Sequence, residues 1–166
     1  MDSVFWLIPL IFAIAALVYV SRSGLIRPQL GPGLSAFKKM DFLLTEAERS
    51  FYEVLQRAVG EELIVFPKVR LADLVWLPKG TAGRQALLNR VLSKHVDFVI
   101  CARSSLTPVV AVELDDASHS RESRRERDEV VNAVLDAAGL PILRLPTRRA
   151  YPPAEIAEMV RAKVAH

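Results

Sequence analysis

Two stretches of alternating side chains, joined by a short polar turn, constrain this chain more than any other feature. Residues 96–102 read V-D-F-V-I-C-A and residues 109–115 read V-V-A-V-E-L-D, with Ser104-Ser105 between them. Successive side chains of a strand point to opposite faces. Val96, Phe98 and Ile100 are therefore expected on one face, and Asp97, Val99 and Cys101 on the other. In the second strand Val110, Val112 and Leu114 share a face, opposite Val109, Ala111, Glu113 and Asp115. A hairpin centred on the serine pair sets Asp97 opposite Glu113, give or take one residue. Asp97, Glu113 and Asp115 then crowd one end of a sheet. Carboxylates so placed repel one another, and the arrangement is tolerated when a hard divalent cation sits among them or when water reaches them freely.

The elements around this hairpin follow from periodicity and punctuation. Thr45-Glu46-Ala47-Glu48 is a capping box, Phe51, Tyr52, Leu55 and Val59 recur at helical spacing, and Gly60 ends the helix. Residues 63–69 and 71–77 read as short strands or extended segments, broken by Pro67 and Pro78. Leu87, Leu88, Val91 and Leu92 predict a short helix over 84–92. Past the hairpin, Ser123 and Glu126 form a second capping box, opening a helix over 123–138 that Gly139 and Pro141 close. Val131, Leu135 and Ala138 mark its buried side, with Asp128 on that side near its start. Residues 140–145 are a further apolar strand, expected parallel to the preceding one through a right-handed crossover. Pro152-Pro153 opens a last helix with Ile156, Met159, Val160 and Val164 as its apolar stripe. The order predicts an α/β domain with a mixed sheet flanked by helices.

The N-terminus is of a different kind. Residues 4–20, VFWLIPLIFAIAALVYV, carry no charge. As a helix they span roughly 25 Å at about 1.5 Å per residue, near the lower limit for a bilayer. Trp6 and Tyr19 lie near the two ends, where interfacial aromatics are favoured. Asp2 precedes the run and no Lys or Arg does, which argues against a cleaved signal peptide, since that needs a basic leader. Arg22, Arg27, Lys38 and Lys39 follow it, so the positive-inside rule places the N-terminus outside and the rest in the cytoplasm. Gly24, Pro28, Gly31, Pro32 and Gly33 make residues 21–40 a linker. The expected organisation is a transmembrane helix over 4–20, a linker over 21–40 and a domain over 41–166. The single cysteine, Cys101, falls inside a strand; it excludes an internal disulfide and fits a reducing compartment. The net charge of +3 is too small to mark nucleic-acid binding by itself.

Metal-dependent phosphodiester hydrolysis needs carboxylates for a hard cation, a group that orients or deprotonates water, and cations for the phosphate backbone. Asp97 and Glu113 suit the first role, His119 the second, and Arg121, Arg124 and Arg125 the third. The structural reading of residues 121–129 is simpler: a solvated helix face laced with ion pairs.

Asp97-Phe98-Val99, Val112-Glu113-Leu114-Asp115-Asp116, His119, Arg127-Asp128 and the run from Gly139 to Arg144 together resemble the core of PD-(D/E)XK nuclease-like domains. The similarity is to the branch of very-short-patch-repair-endonuclease-like proteins, and covers residues 41–149. Bacterial proteins with one N-terminal transmembrane helix before such a domain are the most similar in layout. The resemblance implies a restriction-endonuclease-like mixed sheet and magnesium as cofactor. It implies Asp97, Glu113 and Glu48 as metal ligands and Asp115 as their support. It gives His119 as general base or phosphate contact, with Asp128 orienting it. It places the protein in a bacterial inner membrane, single-pass, with the C-terminal domain cytoplasmic and nucleic acid as substrate. Two departures stand out: Asp115 occupies the place of the lysine two residues after the second acid, and Asp116 replaces a glycine. The alternative is a catalytically inactive domain of this kind that binds nucleic acid or a protein partner at the membrane.

Overall fold

The computed structural model describes residues 7–22, 33–115 and 121–165, with the backbone alone at 7, 8, 20–22, 35 and 121–127. The chain forms two compact units, Met1–Asp41 and Phe42–His166.

In the first unit, helix α1 spans Leu7–Arg22 and a 3-10 turn spans Leu34–Ala36. Sixteen helical residues extend about 24 Å at about 1.5 Å each, short of a hydrocarbon layer of about 30 Å. Among the described residues no helix is long and apolar enough to cross a membrane. Residues 4–6 of the expected span lie outside the described ones.

The second unit contains helix α2 (Glu46–Val59), strand β1 (Leu63–Arg70), helices α3 (Leu71–Leu74) and α4 (Arg84–Leu92), strands β2 (His95–Ala102) and β3 (Pro108–Asp115), helix α5 (Arg121–Ala137), strand β4 (Ile142–Pro146) and helix α6 (Pro153–Val164). The four strands make one mixed sheet in the order β1-β2-β3-β4. The first two pairings are antiparallel, and β3 with β4 is parallel. That parallel pairing is the one expected from the crossover through α5.

Three local readings change. Residues 71–77 are not a strand: after β1 the chain turns straight into the single-turn helix α3. Pro67 does not break β1, because β1 is an edge strand with one neighbour, where the missing N–H of proline costs no ladder bond. Helix α5 starts at Arg121, so Ser123 lies within its first turn rather than at its N-cap. Its end is as expected. Gly139 takes φ 68, Gly139 N–H donates to the Asp136 carbonyl at 3.0 Å, and Leu140 N–H to the Leu135 carbonyl at 2.9 Å. This is a Schellman closure that relieves two end carbonyls of α5.

The sheet is buried on both faces. Phe51 and Leu55 of α2 and Ile156 and Val160 of α6 pack over Phe98 and Val112. Phe51 meets Phe98 with ring centroids 5.6 Å apart and Tyr151 edge-on at 4.8 Å. On the other face Val131 and Leu135 of α5, with Leu71 and Val91, pack over Val99 and Ala111.

Candidate functional site

Strict alternation fails at one rung of the β1–β2 pairing, and the candidate site is built there. β1 pairs with β2 so that Pro67 faces Phe98 and Val69 faces Val96, which leaves Lys68 across from Asp97. Val65, Phe98 and Ile100 belong to the α2 side. Alternation carried one step further would put Val69 and Val96 there too. Both pack instead with the α5 side. The inward phase therefore resets at Lys68 and Asp97, and Lys68 sits at φ 53, in the left-handed region. Asp97 does not share a face with Val99 and Cys101 as alternation predicts; it turns toward α2.

Lys68 Nζ donates to Asp97 Oδ1 at 3.1 Å and also to Glu48 Oε1. The second oxygen of Asp97 accepts from the Leu114 backbone N–H at 3.0 Å. That contact lies where the hairpin opens: the β2–β3 ladder ends at Phe98 opposite Val112, and the next rung would be Asp97 with Glu113. The carboxylate thus takes over a backbone donor that the ladder has released. Glu48 has two tasks. Its Oε2 accepts from Thr45 N–H at 2.9 Å while the Thr45 hydroxyl accepts from Glu48 N–H at 3.3 Å, the capping box expected from the sequence. Its other oxygen holds Lys68. Burial by itself pushes the Glu48 carboxyl up, but the Lys68 and Thr45 hydrogen bonds and the Lys68 charge outweigh it, and the group is held below its ordinary value. Burial pushes the Lys68 ammonium down; the hydrogen bonds to Glu48 and Asp97 and their charges reverse this and hold it above its ordinary value. Both shifts favour the charged forms.

A second cluster lies on the α5 side. Arg144 of β4 reaches Asp115 Oδ1 at 3.0 Å, Asp128 Oδ1 at 3.5 Å, and Asn132 Oδ1 at 3.2 and 3.3 Å. One guanidinium fork ties the end of β3 to the middle of α5. Asp128, expected to orient His119, is engaged by Arg144. Asp115 is half-exposed in the same contact. Between the clusters stands Glu113, buried at 7 % exposure and the register partner of Arg144.

The sequence-derived candidates therefore divide. Glu48 and Asp97 come together through Lys68; Asp115 and Asp128 come together through Arg144; Glu113 adjoins both groups along β3. His119 and Asp116 lie outside the described residues, and for Arg121, Arg124 and Arg125 only the helical backbone is described. Lys68 was not among the candidates, and Arg144 entered only as part of a pattern. Lys68 is the lone charge in the apolar run LIVFPKV, ahead of Arg70 at the end of β1, and Arg144 is the lone charge of β4, ILRLP. A charge so placed needs a partner, and that signal could have found both.

In chemistry the acids suit a hard cation, since all offer carboxylate oxygens. In arrangement the described residues do not fit one. Glu48 and Asp97 close on an ammonium, Leu114 N–H takes the remaining Asp97 oxygen, and among the described residues no three His, Cys, Asp or Glu side chains stand close enough to hold a metal.

A family model described as "Protein of unknown function (DUF2726)" matches residues 40–164. The chain belongs to this family. The match takes in the whole sheet, both clusters and all helices of the second unit except the end of the chain. Comparison with curated proteins gives no match, and comparison with solved structures gives none either.

Proposed function

We propose that this is a membrane-anchored, nuclease-like protein whose C-terminal domain acts on the phosphodiester backbone of DNA or RNA. The observation that carries the reading is the meeting of Glu48, from the first turn of α2, with Asp97, at the mouth of the β2–β3 hairpin beside Glu113. A mixed sheet flanked by helices is what the resemblance to PD-(D/E)XK domains implies, and the strand pairing brings the acids to one end of that sheet. Arg121, Arg124 and Arg125 in the opening turns of α5 follow directly on the segment after β3, and they are the residues offered to phosphates. In this reading His119 is the general base or phosphate contact, and magnesium is the cofactor to be tested. The uncharged run at 4–20 anchors the chain, with the domain in the cytoplasm. Leu10, Ile11, Phe12, Leu17 and Tyr19 of α1 are exposed, as lipid-facing side chains would be.

One observation favours a second reading, in which the domain binds nucleic acid or a protein partner without cleaving. The ammonium of Lys68 already satisfies the acid pair. One experiment separates the two. The full chain, purified in mild detergent, is incubated with labelled single- and double-stranded DNA and RNA and with magnesium or manganese. Cleavage that disappears in Asp97→Asn and Glu113→Gln supports the enzyme. Salt-dependent binding without cleavage supports the second reading. Cleavage unchanged in both variants refutes the site. For the anchor, a C-terminal reporter fusion should report the cytoplasm, and a signal from the opposite side refutes the stated topology.

A further inference from the structure

The expected divalent ion and the observed arrangement disagree at one residue. Lys68 adopts φ 53, a conformation that costs a residue with a Cβ about 1 kcal/mol or more. β1 takes it at the rung where the alternation resets, and the result aims the ammonium at carboxylates from two other elements. Lys68 is the only charged residue between Leu63 and Val69. Its side chain is 24 % exposed and that of Asp97 13 %, so the group is only partly screened by water. A positive charge that draws two acids together, with a backbone donor fixing the far oxygen of one, supplies what a bound metal would otherwise supply.

We propose that Lys68 is the resident cation of this site: its ammonium holds Glu48 and Asp97 in the position a divalent ion would take, and such an ion binds there only by displacing it. The proposal rests on the reading of these acids as a cation site, and it adds how that site is regulated. With Lys68 in place the pair is neutralised from within and divalent ions bind weakly. With the ammonium withdrawn the two carboxylates are free to ligate.

The test is calorimetric titration of manganese into the full chain. Lys68→Met should bind at least about tenfold more tightly than wild type, because the charge-assisted hydrogen bonds that compete with the metal are worth that factor or more. Adding Asp97→Asn to Lys68→Met should abolish the gain. Lys68→Arg, which keeps the charge, should show none. Wild type and Lys68→Met binding equally overturns the proposal and leaves the acids standing as a cation site. Binding by neither overturns both. A gain in Lys68→Arg overturns the competition. Lys68→Met leaves two carboxylates facing each other, so Lys68→Gln, whose amide still donates to one of them, carries the same expectation if the methionine variant does not fold. Thermal melts give a second readout: manganese should raise the midpoint of the neutral variants more than that of wild type, and an equal rise overturns the proposal.

Discussion

Replacing Asp97 by alanine should lower stability by about 2–3 kcal/mol before any question of activity arises. The side chain is 13 % exposed. Its Oδ2 holds the Leu114 N–H at 3.0 Å, and a hydrogen bond to a charged group is worth about 1.5–3 kcal/mol. Its Oδ1 holds Lys68 at 3.1 Å. Lys68 keeps Glu48 in the variant, so losing this second contact adds less than about 1 kcal/mol. For a unit of 125 residues, Phe42–His166, about 4 °C of midpoint corresponds to 1 kcal/mol, giving a fall of about 8–12 °C. Asparagine still accepts from Leu114 N–H, but as a neutral and weaker acceptor, and it offers no charge to Lys68, so its cost should be about 1–2 kcal/mol. Thermal melts followed by circular dichroism measure both. Hydrogen exchange at the Leu114 amide separates the terms, with protection lost in the alanine variant and kept in the asparagine one. The reasoning fails if alanine costs less than about 1 kcal/mol, or if the two variants agree in the melts and at that amide. For the cleavage assay the consequence is direct. Inactivity of Asp97→Ala near its midpoint reports unfolding, and only Asp97→Asn tests the chemistry.

Arg144→Met should cost about 1–2 kcal/mol by releasing Asp115, Asp128 and Asn132 together, and Arg144→Lys should recover less than half of it, since an ammonium has no fork to span them; full recovery by lysine in thermal melts would show that charge alone matters. The Glu48–Lys68 pair should make stability fall at both pH extremes. Glu48 is held below its ordinary 4.5, so its contribution is present above that value and lost as pH falls through the folded one. Lys68 is held above its ordinary 10.5, so its contribution is present below that value and lost as pH rises through the folded one. Melts across both windows should show a flatter acid limb in Glu48→Gln, and an identical limb refutes the linkage. Cys101 is 4 % exposed and burial pushes its thiol up, so a disulfide reagent should modify it only as the domain unfolds; rapid reaction of the folded protein would contradict its placement.

Most of the second unit was legible because its signals are local. The capping box at Thr45 and Glu48, the hairpin strands, Gly139 and the helix after Pro152-Pro153 each depend on residues within a few positions of one another. The errors are where a local signal meets a distant one. Pro67 reads as a breaker until β1 is known to be an edge strand. Ser123 reads as a cap until the helix is seen to begin earlier, at Arg121. Residues 71–77 have the composition of a strand, but their neighbours Val91 and Leu135 bury Leu71 in a helical turn.

The acid cluster shows the same limit at the site itself. Alternation gave Asp97, Glu113 and Asp115 a common face because it assumes an unbroken pleat. The pleat breaks where an apolar strand must carry a charge. A buried Asp97 that followed the alternation would enter the apolar packing of Val99 and Ala111. Turning it toward α2 and bending Lys68 into the left-handed region to meet it satisfies both charges and gives the released Leu114 N–H an acceptor. The local cost of about 1 kcal/mol at Lys68 is smaller than that of one unpaired buried charge. A lone charge inside an apolar run was the readable sign. It marks Asp97, and it marks Lys68 and Arg144 as well, the two cations around which the acids are arranged.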